Sequence, residues 1–340
     1  MVNLTETLLN TLNAIIFRCS LGDNFSKEYT ERFLGLLQKA NSLIELFSLG
    51  DFFPWLKWLD YVNGYDAKLR KTAQELDIFF NQIIDDRICM NSQLYNSDDH
   101  HGKEEKRNFL DILLHAGKNN LSFTRECMKG IIMDMFVGGV DTSATVLDWA
   151  MAELIKNPKL MKKAQEEVRR VAAGNKTNKV GEHVINQMDY LKCIVKETLR
   201  MHPPIPTLSR KPSADAKIGG YDLPPNVDVF LNVWTVQRDS KLWDKPEEFR
   251  PERFIDNPID FKGQCFQFIP FGSGRRGCPG ISFGIAVVEL ILANLLYAFD
   301  WEFPGGASSE ELDMAETYGI TTTRRTPLRV VPTPFCATFS

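Results

Sequence analysis

Residues 271–280 read FGSGRRGCPG, and residues 281–299 continue ISFGIAVVELILANLLYAF. The second run is apolar on nearly every face of a helix, so it is expected to lie deep in a core. Pro279 and Gly280 stand where such a helix would start, which puts Cys278 just ahead of its first turn. Free backbone N–H groups and the positive end of the helix dipole favour an anionic sulfur there. Gly272, Gly274, Gly277 and Gly280 let the backbone turn tightly and approach something large and flat without Cβ clashes. Arg276 adds a cation two residues from the sulfur. A lone cysteine is more often a buried structural residue beside a surface loop, and on these residues alone that alternative stays open.

Around this stretch the chain has the composition of a globular protein. Its 340 residues are 44% apolar and 25% charged, enough for one sizeable core or two. Forty basic residues against 44 acidic ones give a net charge of -4, so nothing global points to nucleic acid. The seven cysteines are odd in number, scattered and free of any CxxC pair, which argues against a disulfide framework or a structural zinc site and for a reducing compartment. The opening MVNLTETLLN has no basic segment followed by an apolar one. No apolar run is read as reaching the roughly 18 residues that span a bilayer, so this chain is expected neither to enter nor to cross a membrane. The sequons at Asn3, Asn24, Asn120 and Asn175 are read as chance matches.

Helical periodicity fills the first three-quarters: 4–19, 27–47, 66–90, 123–156, 158–173 and 185–201. Asn157-Pro158 closes one helix and opens the next, Gly174 ends that one, and His202-Pro203-Pro204 stops the last, with His202 read as a cap rather than a metal ligand. Short β-type stretches follow in 205–233 and 317–332. The hydrophilic segments 97–107 and 305–312 read as loops. The fold class is therefore mainly α with small β-sheets, and residues 1–340 are expected to form a single domain. Cys127, Cys193 and Cys265 are read as residues without chemistry.

Two further segments need a reason of their own. In FVGGVDTSAT, 136–145, Gly138 and Gly139 sit inside a helix pattern, where each costs about 1 kcal/mol relative to alanine. Met135, Gly138, Thr142 and Val146 share one stripe, which offers a gap at Gly138 and a hydroxyl one turn on. A helix junction capped by Asp141-Thr142 is the plain alternative. In ETLR, 197–200, Glu197 and Arg200 share a helix face, and alone they suggest a surface ion pair worth about 0.2–0.5 kcal/mol.

Taken together these motifs resemble the cytochrome P450 family. Phe271, Gly274, Arg276, Cys278 and Gly280 match its haem-binding loop FxxGxRxCxG, Glu197 and Arg200 its ExxR motif, and Gly138, Gly139, Asp141, Thr142 and Ser143 its [AG]Gx[DE]T[TS] motif. The phrases LGDFFPWLKWLD, AQELDIFF and KETLRMHPP further suit the plant A-type members of specialised metabolism, and the likeness runs from residue 1 to about 333. The resemblance implies the cytochrome P450 fold and haem b (iron protoporphyrin IX) as cofactor, with Cys278 as the thiolate axial ligand of the iron and Arg276 and Arg210 on its propionates. It makes Gly138 and Gly139 the room for dioxygen, Thr142 and Asp141 the catalytic hydroxyl and proton source, and Glu197, Arg200 and Arg253 of PERF a structural triad.

The implied activity is a haem-thiolate monooxygenase that inserts one oxygen atom from O2 into an apolar small molecule such as a terpenoid or phenylpropanoid. Its electrons would come from NADPH through NADPH-cytochrome P450 reductase. An isomerase or dehydratase would have no use for Thr142. Residues 137–145, 205–211 and 317–322, among them Ile205, Thr207, Ile320 and Thr321, would line the pocket. The same resemblance places the parent family at the cytosolic face of the endoplasmic reticulum membrane and reads this chain as beginning after the anchor, the first sheet and the first helices. The contrasting expectation is an inactive or non-catalytic haem-binding fragment. The aromatic stretch 51–62, DFFPWLKWLDYV, could dip into a bilayer surface but is read as core.

Overall fold

The computed structural model describes residues 1–22, 27–46, 48–95, 108–119, 122–173, 179–306 and 311–335. The loop read at 97–107 lies outside these, as do 307–310 of the second loop. In chain order the helices and strands are β1 (Val2–Asn3), α1 (Leu4–Leu21), α2 (Lys27–Glu45), α3 (Leu49–Phe52), α4 (Lys57–Val62), α5 (Tyr65–Tyr95), α6 (Phe109–Asn119), α7 (Arg125–Lys156), α8 (Pro158–Ala172), α9 (Glu182–Ile185) and α10 (Asp189–Met201). They continue as β2 (Thr207–Arg210), β3 (Ala216–Ile218), β4 (Tyr221–Leu223), β5 (Val229–Asn232), α11 (Val233–Val236), α12 (Ile281–Ala298), β6 (Phe299–Glu302), β7 (Glu316–Thr317), β8 (Thr323–Arg324) and β9 (Arg329–Pro334). The mainly α chain with small antiparallel sheets is as expected; α6 was not foreseen. Residue contacts sort into two compact units, Asn10–Val140, and Met1–Leu9 with Asp141–Ser340.

Among the described residues of the unit Asn10–Val140, every regular element is a helix. Phe33, Leu36, Leu37, Ala40 and Leu43 recur on one stripe of α2 and are all buried. Phe33 stacks on Phe79 of α5 at 5.0 Å and meets Phe136 of α7 edge-on at 4.5 Å, geometries that suit the ring quadrupole. Arg87 of α5 grips Asp111 of α6 with two hydrogen bonds, Nε to Oδ1 at 2.7 Å and Nη2 to Oδ2 at 2.6 Å. The α3–α4 corner is built on the carboxylate of Asp60, which accepts from the N–H groups of Leu49 and Gly50 and from the Ser48 hydroxyl. Those bonds, the Gly50 N–H first, hold its carboxyl below the usual carboxylate range. With Asp60 turned inward, Phe53, Trp55, Trp58, Tyr61 and Val62 turn out, and Trp55 is 72% exposed. Among its described side chains the stretch 51–62 is thus mainly surface rather than core: in two short helical turns one inward face suffices, and here the Asp60 carboxylate occupies it.

The second unit holds the sheets. β1, β9 and β6 form an antiparallel three-stranded sheet in that order, Val2 facing Val330 and Trp301 facing Pro332. β2 pairs with β5, β3 with β4 and β7 with β8, each antiparallel. Its core comes from the second half of α7 (Leu147, Trp149, Ala150, Met151, Leu154), from Ala164 and Val168 of α8, and from Leu191, Ile194 and Leu199 of α10. The expectation that α12 lies deep in a core is not met. Only Val288, Leu292, Ala293 and Leu296 are buried, because the described residues pack α8, α9, α10 and β6 against a single stripe of it. An apolar pattern all round a helix states what could be buried, not how many neighbours arrive. By length and composition α7 and α12 are also each long and apolar enough to cross a membrane, contrary to the reading from uninterrupted runs; the Asp and Gly residues of α7 and the Gly, Glu and Asn residues of α12 that break those runs leave the average apolar.

Candidate haem-binding site

The Phe271–Gly280 loop is folded back on itself by its own backbone. The Cys278 N–H donates to the Phe271 carbonyl at 2.9 Å, the Gly277 N–H to the Gly274 carbonyl at 3.0 Å, and the Gly272 N–H to the Ile269 carbonyl at 2.9 Å. Such closure needs left-handed residues, and Gly272 and Gly274 supply them at φ 72° and 70°. The Phe271 ring is seated edge-on against Phe261 at 5.7 Å. Ser273 donates to the Gly263 carbonyl at 2.7 Å and ties the loop to the preceding turn. The result presents Cys278 at the surface, immediately before α12, with Gly280 in the capping position.

Arg210 at the end of β2 reaches this loop: its Nη1 donates to the Ser209 carbonyl at 2.8 Å and its Nη2 lies 3.5 Å from the Arg276 carbonyl. Arg210, Arg275 and Arg276 are all exposed, and among the described residues none is in an ion pair. A Cβ at Gly272 would make ordinary contact with the Arg210 guanidinium at 3.6 Å, so what requires glycine there is its φ of 72°. A thiol at the head of an apolar helix, flanked by guanidinium groups without acidic partners, is a donor set for a flat apolar group that carries carboxylates and a thiophilic metal. Haem fits it.

Glu197, Arg200 and Arg253 are brought together by hydrogen bonds. Glu197 and Arg200 are fully buried. Arg200 Nε and Nη2 donate to the two oxygens of Glu197 at 2.8 and 2.9 Å, and Arg253 Nε donates to Oε1 at 2.9 Å. The Arg250 N–H adds a fourth donor at 2.8 Å. Arg253 spends its remaining N–H groups on the carbonyls of Asp244, Lys245 and Glu248, and the Arg200 guanidinium lies 5.3 Å from the Trp243 ring centre. One residue overlooked in the sequence completes the connection. Gln237, fully buried, donates to the carbonyls of Leu199 and Arg200 and accepts from the Ile269 N–H at 3.1 Å, two residues before Phe271. Nothing in its neighbourhood, TVQRD, signals this role, since its partners are 32 to 38 positions away.

Gly138, Gly139, Asp141 and Thr142 are carried separately, all within the unbroken helix α7. Gly138 is exposed, and among the described residues a Cβ on it would meet no atom within 4 Å. Gly139 differs: a Cβ there would stand 2.7 Å from Ile16 Cδ1, so this glycine admits α1. Asp141 and Thr142 are half-buried. His202 caps α10 as expected, its N–H donating to the Thr198 carbonyl at 2.7 Å, but its ring is buried between carboxylates, which the sequence did not disclose.

Comparison with known proteins agrees with this geometry. Residues 2–327 match the family model described as Cytochrome P450. The chain is 47% identical to a phenylacetaldehyde oxime monooxygenase of Prunus mume over 98% of its own length and 63% of that protein's. It is 47% identical to cytochrome P450 71A1 of Persea americana over 97% of this chain and 66% of the relative. Identity to a desmethylyatein synthase of Sinopodophyllum hexandrum is 45%, with 97% and 65% covered. The chain thus spans a little under two thirds of the length of these relatives. A glycine-shaped cysteine loop, a buried Glu-Arg-Arg triad and a match that runs through both place this chain in the cytochrome P450 family.

Proposed function

We propose that the protein is a haem-thiolate monooxygenase of plant specialised metabolism, with residues 1–340 acting as one haem domain. The observation that carries this reading is the exposed Cys278 at the head of α12, in one loop with Arg275 and Arg276 and with Arg210 reaching the Arg276 carbonyl, none of the three arginines being in an ion pair among the described residues. Cys278 Sγ would ligate the iron, Arg276 and Arg210 would pair with the propionates, and Phe271, Gly274 and Gly280 would shape the loop against the ring. When bound, haem supplies the activation of O2, so that one oxygen atom enters the substrate and the other leaves as water with two protons and the two electrons of NADPH.

The chain's own residues bind, space and deliver. Gly138 leaves room on its face of α7, and Thr142, one turn on, offers a hydroxyl that can hold a hydrogen bond beside the reacting oxygen. Asp141 is the proton source for that hydroxyl. The triad Glu197, Arg200 and Arg253 touches no substrate; with Gln237 it fixes the backbone at Ile269 and so the start of the loop. The electron donor in this reading is NADPH-cytochrome P450 reductase at the cytosolic face of the endoplasmic reticulum. The name of one relative includes phenylacetaldehyde oxime, a small aromatic molecule. We extend to this chain only the class: a small apolar plant metabolite such as a terpenoid or phenylpropanoid.

The test is the ferrous carbon monoxide difference spectrum of the haem-loaded chain beside Cys278→Ala. A strongly red-shifted thiolate-type band that disappears in the variant is expected. A histidine-type band, or an unchanged band in Cys278→Ala, would overturn the assignment of the ligand.

A further inference from the structure

One side-chain amide joins the end of α10 to the segment that leads into the cysteine loop. Gln237 directly follows α11, whose cap Asn232 accepts from the Thr235 N–H at 2.9 Å, and its own N–H closes that short helix on the Val233 carbonyl at 2.9 Å. The residue is fully buried. Its Nε2 donates to the Leu199 and Arg200 carbonyls at 2.9 and 3.0 Å, and its Oε1 accepts from the Ile269 N–H at 3.1 Å. Carbonyls only accept and an N–H only donates, so the amide fits one way round. Leu199 and Arg200 stand in the last turn of α10, where carbonyls lack intrahelical donors, and Gln237 caps them from another element.

Arg200 returns the grip, its Nη1 donating to the Gln237 carbonyl at 2.9 Å. Each of these two side chains therefore holds the other's backbone, and Gln237 cannot shift without disturbing the arginine that Glu197 fixes. On the far side, Ile269 is followed by Pro270, whose ring sets its own φ and confines the residue before it to extended backbone. A position imposed at Ile269 thus reaches Phe271 with little slack. The Ile269 carbonyl then accepts from the Gly272 N–H, and the Phe271 carbonyl from the Cys278 N–H, both at 2.9 Å. From Glu197 to the backbone of Cys278, every joint is either covalent or a hydrogen bond of 3.1 Å or less.

We propose that Gln237 is a positioning residue for the thiolate: it couples the Glu197–Arg200–Arg253 triad to the cysteine loop, so that where Cys278 presents its sulfur is set from α10. The link to the iron rests on the functional reading above; the hydrogen-bonded joint does not. In that reading Gln237 touches neither haem nor substrate and acts through Ile269. A side chain that merely filled the core would be replaceable by an apolar one of similar length. The amide makes a directional demand instead, because its loss leaves the Ile269 N–H buried without its acceptor and two carbonyls of α10 without their donor.

The experiment uses the full haem-loaded chain and three variants. Gln237→Met is close in size and lacks the amide; Gln237→Glu keeps an oxygen for Ile269 and loses both donors; Val168→Ala, in the core of α8, controls for lost stability alone. Exchange of the Ile269 amide, read by mass spectrometry, is expected to rise about tenfold in Gln237→Met. The g-values of the ferric low-spin EPR signal, which respond to the sulfur–iron bond, should shift in both Gln237 variants and stay in place in Val168→Ala. The ferrous carbon monoxide complex of both Gln237 variants should lose its thiolate-type band about tenfold faster than that of the control. Unchanged Ile269 exchange in Gln237→Met would overturn the joint. EPR signals and band lifetimes that match those of Val168→Ala would overturn the positioning role and leave Gln237 a filler of the core. Should Gln237→Met fail to fold, Gln237→Glu decides by the same two spectra. Failure of the unmodified chain to take up haem would instead sink the functional reading, while the exchange comparison, run on the haem-free chain, would still test the joint.

Discussion

At the scale of the residue, the buried Glu197 is the most demanding position in the molecule. Its two oxygens receive four donors, three of them guanidinium N–H groups. A buried ion network adds little net stability over apolar packing, but breaking it strands its remaining charges. Glu197→Ala leaves Arg200, fully buried, and Arg253 without their anion, and the Arg250 N–H without an acceptor. The expected loss is about 3–5 kcal/mol, read as a lower midpoint in denaturant unfolding, with haem retention falling in parallel. Residues of this kind were legible when chemistry and spacing lay close together: the haem-loop residues, the ETLR pair and Arg253 all sit in short signatures. Gln237 and the acid partners of His202 were not, because those contacts join residues 32 to 49 positions or more apart and no local pattern announces them.

At the scale of the element, α7 shows two adjacent glycines with opposite tasks. An alanine at Gly138 would enter open space and would recover about 1 kcal/mol of helix propensity. The same change at Gly139 would press on Ile16 Cδ1, whose side chain is fully buried, and that strain offsets the gain. Gly138→Ala is therefore expected to raise the unfolding midpoint while impairing turnover, and Gly139→Ala to fall behind it by about 1 kcal/mol. Thermal unfolding of the pair, with reductase-driven NADPH consumption against product formed, checks both halves; equal stabilisation by the two would contradict the packing. The sequence told that the glycines needed a reason, but not that there were two. It also missed α6, an 11-residue helix that follows a strongly hydrophilic stretch, and it overstated α12, since periodicity records polarity and not the number of packing partners.

For the whole molecule, the surface is the informative part. Trp55, Trp58, Tyr61 and Val62 in one unit, and Ile218, Tyr221, Phe230 and Leu231 in the other, are large apolar side chains at 43% exposure or more. Exposed apolar side chains in this number favour association, and a net charge of -4 on 340 residues adds little repulsion. The chain is expected to self-associate in plain buffer and to disperse in a mild nonionic detergent, which sedimentation velocity resolves; a monodisperse species without detergent would show these faces to be satisfied. The broad class, mainly α with small sheets, was readable from periodicity alone. How each apolar residue divides between core and surface was not, because that depends on which elements arrive from far along the chain.

The β1–β9 closure carries that dependence to its limit. Thr5 donates to Asp148 at 2.5 Å and accepts from the Leu328 N–H at 2.8 Å, across 323 positions of sequence, while the Leu4 N–H binds the Leu328 carbonyl. A ribosome makes Thr5 long before it makes Leu328. The first strand must therefore wait through the synthesis of nearly everything described here, and the chain cannot be finished piece by piece in the order in which it is made. Its last described strand acts as a completion signal: until residue 328 is out, the Thr5 hydroxyl that serves Asp148 lacks the N–H it accepts from, and the Leu4 N–H lacks its carbonyl.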